Sequence, residues 1–187
     1  CLENKYYLGN EIHFTYVAKK NRRRAFSLQQ YMRLVRYMRT NEYLNKGKHK
    51  NDYLIRRSRQ QFRAYVLFIT NIGLRIGEAR KVKWRDVDFS ELVKDGVTKK
   101  YIRVSVSSNT KTGSREAIGR YTAYRALERL RASRQDNIGD DDLVFCKKDG
   151  SAIQQMQDIF NAVIREADTE FDTDGNKYAV YCLRHTF

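Results

Sequence analysis

The sequence contains no proline, only three cysteines and no long apolar run. Proline makes up roughly 5% of an average protein, but its absence here indicates no particular function. Cys1, Cys146 and Cys182 are odd in number and far apart, which argues against a disulfide framework and against a zinc site. Such cysteine usage favours a reducing, intracellular setting. No stretch reaches the roughly 18 apolar residues of a membrane-spanning helix, and no secretory signal pattern opens the sequence, so we expect a cytoplasmic protein without a membrane partner.

Acidic residues are also few: the sequence has 22 Asp and Glu against 37 Lys and Arg, which gives a formal net charge of +15. This balance favours a polyanionic partner, with nucleic acid as the first candidate and an anionic membrane surface as the second. A protein that is simply basic is the remaining alternative. The 13 Tyr and 9 Phe argue against disorder, and 187 residues suffice for one domain with a real core.

The first half of the chain predicts helices. Ser27 and Gln30 form a capping box that begins a helix. The buried face of this helix is expected to contain Leu28, Tyr31, Val35 and Met38. A second helix is predicted from Tyr53 to a stop at Gly73, where a left-handed residue ends the helix, and a short third helix from near Arg75. The buried stripe of the second helix is expected to contain Phe62, Tyr65, Val66 and Ile69.

The second half predicts a small sheet and then more helix. The stretch VKWRDVDF is β-like, KDG is a turn, and residues 102–107 alternate between apolar and polar side chains. NTKTGSREAI predicts a hairpin tip and a return strand, and helices are predicted at 121–134 and 153–167. The expected fold class is therefore mostly α with a small antiparallel β-sheet (α+β).

Three basic residues lie where a purely structural design would not require them. Arg75 follows a glycine stop and begins a helix, a position that suits a phosphate, although pairing with Glu78 is also possible. Lys111 lies at a hairpin tip, where a lysine is often only solvated. Arg184 lies among apolar neighbours, and a semi-buried arginine needs a partner or a ligand.

Other charged residues give weaker signals. Contacts with DNA phosphates are predicted, against the alternative of a solvated linker or loop, for Arg22, Arg23, Arg24, Lys46, Lys48, Lys50 and Arg115. GDDDL (139–143) and DTDG (172–175) do not fit the pattern of a calcium-binding loop, so loop or cap chemistry explains both and no metal site is predicted.

Four blocks in order resemble the tyrosine recombinases, the phage-integrase family. They are TNIGLRIGEARKVKWRDVDF, VSSNTKTGSREAIG, LVF at 143–145 and VYCLRHTF, and the resemblance covers roughly residues 26–187. It implies the catalytic-domain fold of that family and site-specific recombination of double-stranded DNA through a 3′-phosphotyrosyl link. Such a reaction needs no metal, no other cofactor and no small-molecule substrate, and it implies integration or excision of a phage or mobile element.

The resemblance also assigns roles to residues. Arg75 and Arg184 would hold the non-bridging phosphate oxygens, Lys111 would protonate the leaving 5′ oxygen, and Glu78 would fix Arg75 or its helix. Tyr181 stands where the family most often has His, so it would donate a hydrogen bond to phosphate or only pack. His185 is expected to be structural. In the family the nucleophilic tyrosine lies beyond the position of Phe187, so none of the tyrosines present is expected to be the nucleophile.

The resemblance further implies that the sequence is part of a larger protein. Residues 1–24 would be the linker from a helical core-binding domain, and residues 25–187 an incomplete catalytic domain. This fragment should not cleave DNA, whereas the full-length protein should act as a tetramer on DNA. A DNA-binding module that kept the fold and lost catalysis is the main alternative. A type IB topoisomerase or telomere resolvase fits the block spacing less well, and RNA binding is disfavoured because no stacking-platform motif is present.

Overall fold

The computed structural model describes residues 24–45, 53–107, 113–134, 137–154 and 156–186, and within these ranges it is helix-rich with one three-stranded antiparallel sheet. The predicted fold class is confirmed. The helices are α1 Leu28–Tyr37, α2 Asn41–Asn45, α3 Tyr53–Ile72, α4 Ile76–Ala79, α5 Tyr121–Ser133 and α6 Met156–Glu166. The strands are β1 Val87–Lys94, β2 Val97–Val106 and β3 Arg115–Gly119, and two 3-10 turns cover Trp84–Asp86 and Val180–His185.

Helix α1 begins with Ser27 as its N-cap, as predicted, although the Gln30 amide group donates to the Phe171 carbonyl rather than forming the second half of a capping box. The Ser27 side chain accepts a hydrogen bond from the Gln30 backbone N–H at 3.2 Å. Tyr31 is buried as expected, but the predicted contribution of Leu28 is wrong, because its side chain is 64% exposed. Leu34 is fully buried instead, so the first turn of α1 projects beyond the core and the packed face starts one turn later.

Helix α3 is the central element, and all four residues of its predicted stripe are buried. Its Tyr65 and Phe68 rings contact Phe145, with centroid separations of 5.2 and 5.4 Å. The helix ends at Gly73 as predicted: φ is +72°, and the Gly73 N–H donates to the Ile69 carbonyl at 3.0 Å. This reversal delivers the chain to Arg75, the N-cap residue of α4.

The strand predicted for VKWRDVDF starts later than expected. Residues Trp84–Asp86 form a 3-10 turn in which the Lys83 N–H donates to the Asp86 carboxylate at 2.9 Å. The Trp84 N–H donates to the Asp142 carbonyl at 3.0 Å, so this segment pairs with the 140–144 loop rather than with the sheet. Only from Val87 does the backbone join the ladder with β2.

The sheet is a simple antiparallel meander in the order β1-β2-β3. A tight turn with positive φ at Asp95 and Gly96 joins β1 to β2. Ile102, Val104 and Val106 are buried as their alternation predicts, and β2 packs against α5. At its far end β2 pairs Val106 with Arg115, which fixes both ends of the loop that follows β2.

The last part of the described chain closes the core beside α1 and α3. In α6 the side chains of Phe160, Val163 and Ile164 are buried, whereas Ile153 precedes the helix and is partly buried. The Phe26 ring stacks on Tyr178 with centroids 4.0 Å apart and meets Phe160 edge-on at 6.2 Å. The 3-10 turn Val180–His185 packs against α3 and α6.

Two glycines that flank Arg75 should respond oppositely to alanine. Gly73→Ala should lower the free energy of unfolding by about 1 kcal/mol, because a Cβ is strained at φ +72°. Gly77→Ala is the matched control: it lies inside α4 with nothing within 4 Å of an added Cβ, so it should raise that free energy by about 0.5–1 kcal/mol. Urea unfolding of both variants measures the difference, and equal effects would contradict the left-handed turn.

Candidate functional site

The Glu78 carboxylate is the centre of the candidate site. Its Oε2 accepts the Arg75 backbone N–H at 2.8 Å, and its Oε1 accepts the Arg75 guanidinium Nη1 at 3.1 Å. The Glu78 side chain is only 5% exposed, whereas that of Arg75 is 37% exposed. The carboxylate thus fixes both the backbone and the side chain of Arg75 and leaves part of the guanidinium open to solvent.

Arg115 makes a second, bidentate contact with the same carboxylate. Its Nη1 donates to Oε1 of Glu78 at 3.1 Å, and its Nη2 donates to Oε2 at 2.8 Å. Arg115 is the first residue of β3 and pairs with Val106 at the end of β2. The contact therefore ties the base of the β2–β3 hairpin to the α3–α4 turn. Lys111 belongs to the loop of this hairpin but lies outside the described residues.

Electrostatics hold Glu78 in its charged form. Burial alone would raise the pKa of its carboxyl, but hydrogen bonds from Arg115 and from Arg75 outweigh it and lower the pKa to about 2. The same carboxylate raises the pKa of Arg115 above its usual range. One negative charge is thus shared by two guanidinium groups, and the cluster keeps a net positive charge that suits an oxyanion.

Arg184 and Tyr181 lie together in the 3-10 turn Val180–His185. Cys182 and Leu183 are buried and anchor the turn, while Tyr181 and Arg184 are half-buried. Within the ranges that the structure describes, Arg184 has no ion-pair or hydrogen-bond partner. Its guanidinium can therefore donate hydrogen bonds to an anionic ligand. The Tyr181 ring meets that of His185 edge-on, with centroids 4.9 Å apart.

Two hydrogen bonds connect the region of α1 with the segment after Arg184 and with α3. The Phe26 N–H donates to the Thr186 hydroxyl at 3.3 Å, two residues from Arg184. One helical turn later, the Tyr31 hydroxyl hydrogen-bonds to that of Thr70 at 2.9 Å, near the last turn of α3. The residue just before α1 thus contacts the segment that follows Arg184, and α1 itself contacts the last part of α3.

Most of the other predicted DNA-contacting residues lie outside the part of the chain that the structure describes. Arg24 is half-exposed and its guanidinium lies 3.6 Å from the Asp172 carboxylate. Arg115 also stays a predicted DNA contact, although its guanidinium is engaged with Glu78. The remaining predicted contacts lie outside the described residues: Arg22, Arg23, Lys46, Lys48 and Lys50.

The acidic residue Asp172 of the DTDG stretch stabilises a local turn. Asp172 accepts the backbone N–H groups of Asp174 and Asn176 at 3.0 and 2.7 Å, which is turn chemistry. Across the described ranges, no group of three or more His, Cys, Asp or Glu residues is arranged to hold a metal ion. None of the helices described there is long and apolar enough to span a membrane.

Comparison with known proteins identifies the family and the fold of the chain. Residues 54–187 match the phage integrase family, so the chain belongs to that family. No curated protein sequence matches. Among solved structures, the chain is similar to the XerA recombinase, with 19% identity and a TM-score of 0.55 over 86% of this chain and 46% of that one.

The chain is also similar to the XerH site-specific recombinase in a pre-cleavage complex with its difH substrate. Identity is 16% and the TM-score 0.57, over 87% of this chain and 41% of that one. The XerH post-cleavage complex with palindromic difH gives the same identity and TM-score, over 88% and 40%. The chain spans less than half the length of these proteins, and the likeness establishes the tyrosine recombinase catalytic-domain fold.

Glu78→Gln should destabilise the protein by about 2 kcal/mol, because the two arginines keep their mutual repulsion and lose the charge that offsets it. A pKa lowered from 4.5 to about 2 means that the ionised carboxylate stabilises the fold fully above about pH 4.5. That contribution is lost as the pH falls from 4.5 through 2.

Urea unfolding at several pH values should therefore show a gap between wild type and Glu78→Gln that closes in acid. Glu116→Gln removes an exposed carboxylate from the residue next to Arg115 and is the matched control, with a change of less than about 0.5 kcal/mol. A gap that does not vary with pH would contradict the charged role of Glu78.

Proposed function

We propose that this chain is the catalytic domain of a tyrosine-type site-specific DNA recombinase. The observation that carries the proposal is the Arg75–Glu78–Arg115 cluster, which lies inside the matched family segment with one guanidinium oriented and partly open. A half-buried Arg184, for which no protein partner lies among the described residues, supports it. The DNA-bound state of the similar XerH recombinase makes duplex DNA the expected partner.

The proposed reaction is an exchange at phosphorus. A tyrosine hydroxyl loses its proton to water as its oxygen bonds to the scissile phosphorus, the bond from phosphorus to the 5′ oxygen breaks, and Lys111 gives a proton to that leaving oxygen. By family resemblance the tyrosine follows Phe187 in the full-length protein. The phosphotyrosyl link retains the phosphodiester's energy, so a 5′ hydroxyl of another strand can reverse the step and release the tyrosine.

Two arginines can stabilise the negative charge that builds up on the phosphate oxygens during this exchange. A guanidinium presents a planar fork of donors, so Arg75 and Arg184 can each bind non-bridging oxygens as charge builds on them in the transition state. Arg75 is held in advance by Glu78, so little reorganisation accompanies the reaction. Glu78 acts only through Arg75 and Arg115 and is a positioning residue.

The wider setting belongs to the same proposal. The full-length protein would act in the cytoplasm as a tetramer on two duplexes, during integration or excision of a phage or mobile element. Residues 1–24 would link the catalytic domain to a core-binding domain. The second candidate, a DNA-binding module without catalysis, is favoured by one feature, namely that Tyr181 stands at the position most often occupied by His in the family.

Covalent capture tests the proposal. The full-length protein is incubated with nicked suicide duplexes from the ends of its own element, and SDS-resistant protein–DNA adducts are counted. Arg75→Ala and Arg184→Ala should each lower the adduct rate by at least about 100-fold, as removal of an oxyanion donor does. Arg56→Ala removes an exposed arginine of α3 and should leave the rate unchanged. Tight, salt-dependent binding without any adduct would instead establish the non-catalytic module.

Substitution of Tyr181 separates its two possible roles. A hydrogen bond to a charged oxygen contributes about 1.5–3 kcal/mol, so Tyr181→Phe should slow adduct formation by about 10- to 100-fold if the hydroxyl contacts phosphate. Tyr181→His, which restores a donor, should recover most of that loss. A Tyr181→Phe variant as fast as wild type would reduce Tyr181 to a packing role against His185.

A further inference from the structure

A second basic region lies between α1, α3 and α5, along the middle of α3. A cavity of about 280 Å³ opens there, near the lower end of the volumes typical of small-ligand sites. Four of its lining residues are arginines, contributed by the segment just after α1, by α3 and by α5: Arg39, Arg63, Arg125 and Arg129. We call this feature the arginine groove.

The floor of the arginine groove is apolar and its rim is basic. Ala64 and Leu67 of α3 form part of the floor, together with aliphatic residues of α1 and α5. None of the described residues that line the cavity is acidic. Arg125 has a carboxylate beside it, through its ion pair with Glu128 one turn further along α5.

The arginines of the groove lie close enough for their positive charges to repel one another. Burial lowers the pKa of Arg63, and the positive charges of Arg129 and Arg39 lower it further. Arg63 is half-buried and donates a long hydrogen bond, 3.4 Å, to the Met38 carbonyl, which leaves most of its donors unused in that contact. Three positive charges thus converge with little to offset them, an arrangement that an anion would relieve.

We propose that the arginine groove binds a phosphate group attached to an apolar moiety, that is, one nucleotide unit. Convergent guanidiniums match the charge and the several oxygens of a phosphate better than a single carboxylate does. The apolar floor suits the sugar or base that accompanies it. The unit can come from a free nucleotide or from a nucleic acid strand.

This site is separate from the one built on Glu78. Its α3 residues lie five or more positions before the end of the helix, which corresponds to at least about 7 Å along the axis. None of Arg75, Glu78, Arg115 and Arg184 lines it. Binding in the groove can therefore be measured without reference to DNA cleavage.

The test uses a double variant with a charge-matched control. Arg39→Gln/Arg129→Gln removes two exposed arginines from the groove, and Arg36→Gln/Arg56→Gln removes two exposed arginines of α1 and α3 that do not line it. Calorimetric titration with ADP and with a random-sequence duplex is done on wild type and on both variants. The groove variant should bind ADP at least tenfold more weakly than wild type, and the control should bind it equally well.

The duplex titration identifies the source of the phosphate. If the strand backbone occupies the groove, the groove variant should lose about two units from the slope of log affinity against log salt, and the control none. Loss of ADP binding alone would assign the groove to a free nucleotide. The proposal would be overturned if both variants bound ADP and the duplex as tightly as wild type does. Failure of DNA cleavage in the full-length protein would leave these outcomes unaffected.

Discussion

The single carboxylate of Glu78 is the constraint on which the rest of the site depends. It is nearly buried, and a buried charge without partners would cost several kcal/mol. Arg75 and Arg115 offset that cost with hydrogen bonds of 2.8–3.1 Å. Without the carboxylate between them, the two guanidinium groups would repel each other. The three groups are therefore stable only together, and their mutual dependence fixes the α3–α4 turn against the β2–β3 hairpin.

This dependence explains why two distant segments can present one surface. Glu78 and Arg115 are 37 positions apart, and the Arg115–Val106 pair holds both ends of the hairpin loop that contains Lys111. A shift of the hairpin would break the bidentate ion pair between Arg115 and Glu78. The base of the loop is therefore fixed by the same carboxylate that orients Arg75. In the proposed reaction, the general acid and the first phosphate-binding arginine would share one support.

Local signals in the sequence predicted local structure well. The cap at Ser27, the stop at Gly73 and the alternation of Ile102 and Val104 all depend on neighbours within a few residues, and each is confirmed. The 3-10 turn at Trp84 was missed because its backbone bonds go to a loop near Asp142. Arg75, Lys111 and Arg184 stood out by their positions and received their roles from the family resemblance, and those roles stay predictions. The pairing of Arg115 with Glu78 escaped notice because no short pattern joins them. The arginine groove gives no linear signal, since its members come from three helices.

The two basic regions use arginine in opposite ways. Around Glu78 a carboxylate fixes the geometry and lowers the net charge, which suits a site where one phosphate must be held in one orientation. In the groove, no carboxylate among the described residues pairs with Arg39 or Arg129, so repulsion between the arginines would cost some stability and would favour binding strength over exact placement of the ligand. A chain with a net charge of +15 can therefore divide its arginines between orienting a reacting phosphate and retaining a nucleotide. A nearly buried carboxylate shared by two arginines occurs around Glu78, whereas the described part of the groove has only the more exposed Arg125–Glu128 pair, and this difference would separate the two proposed tasks.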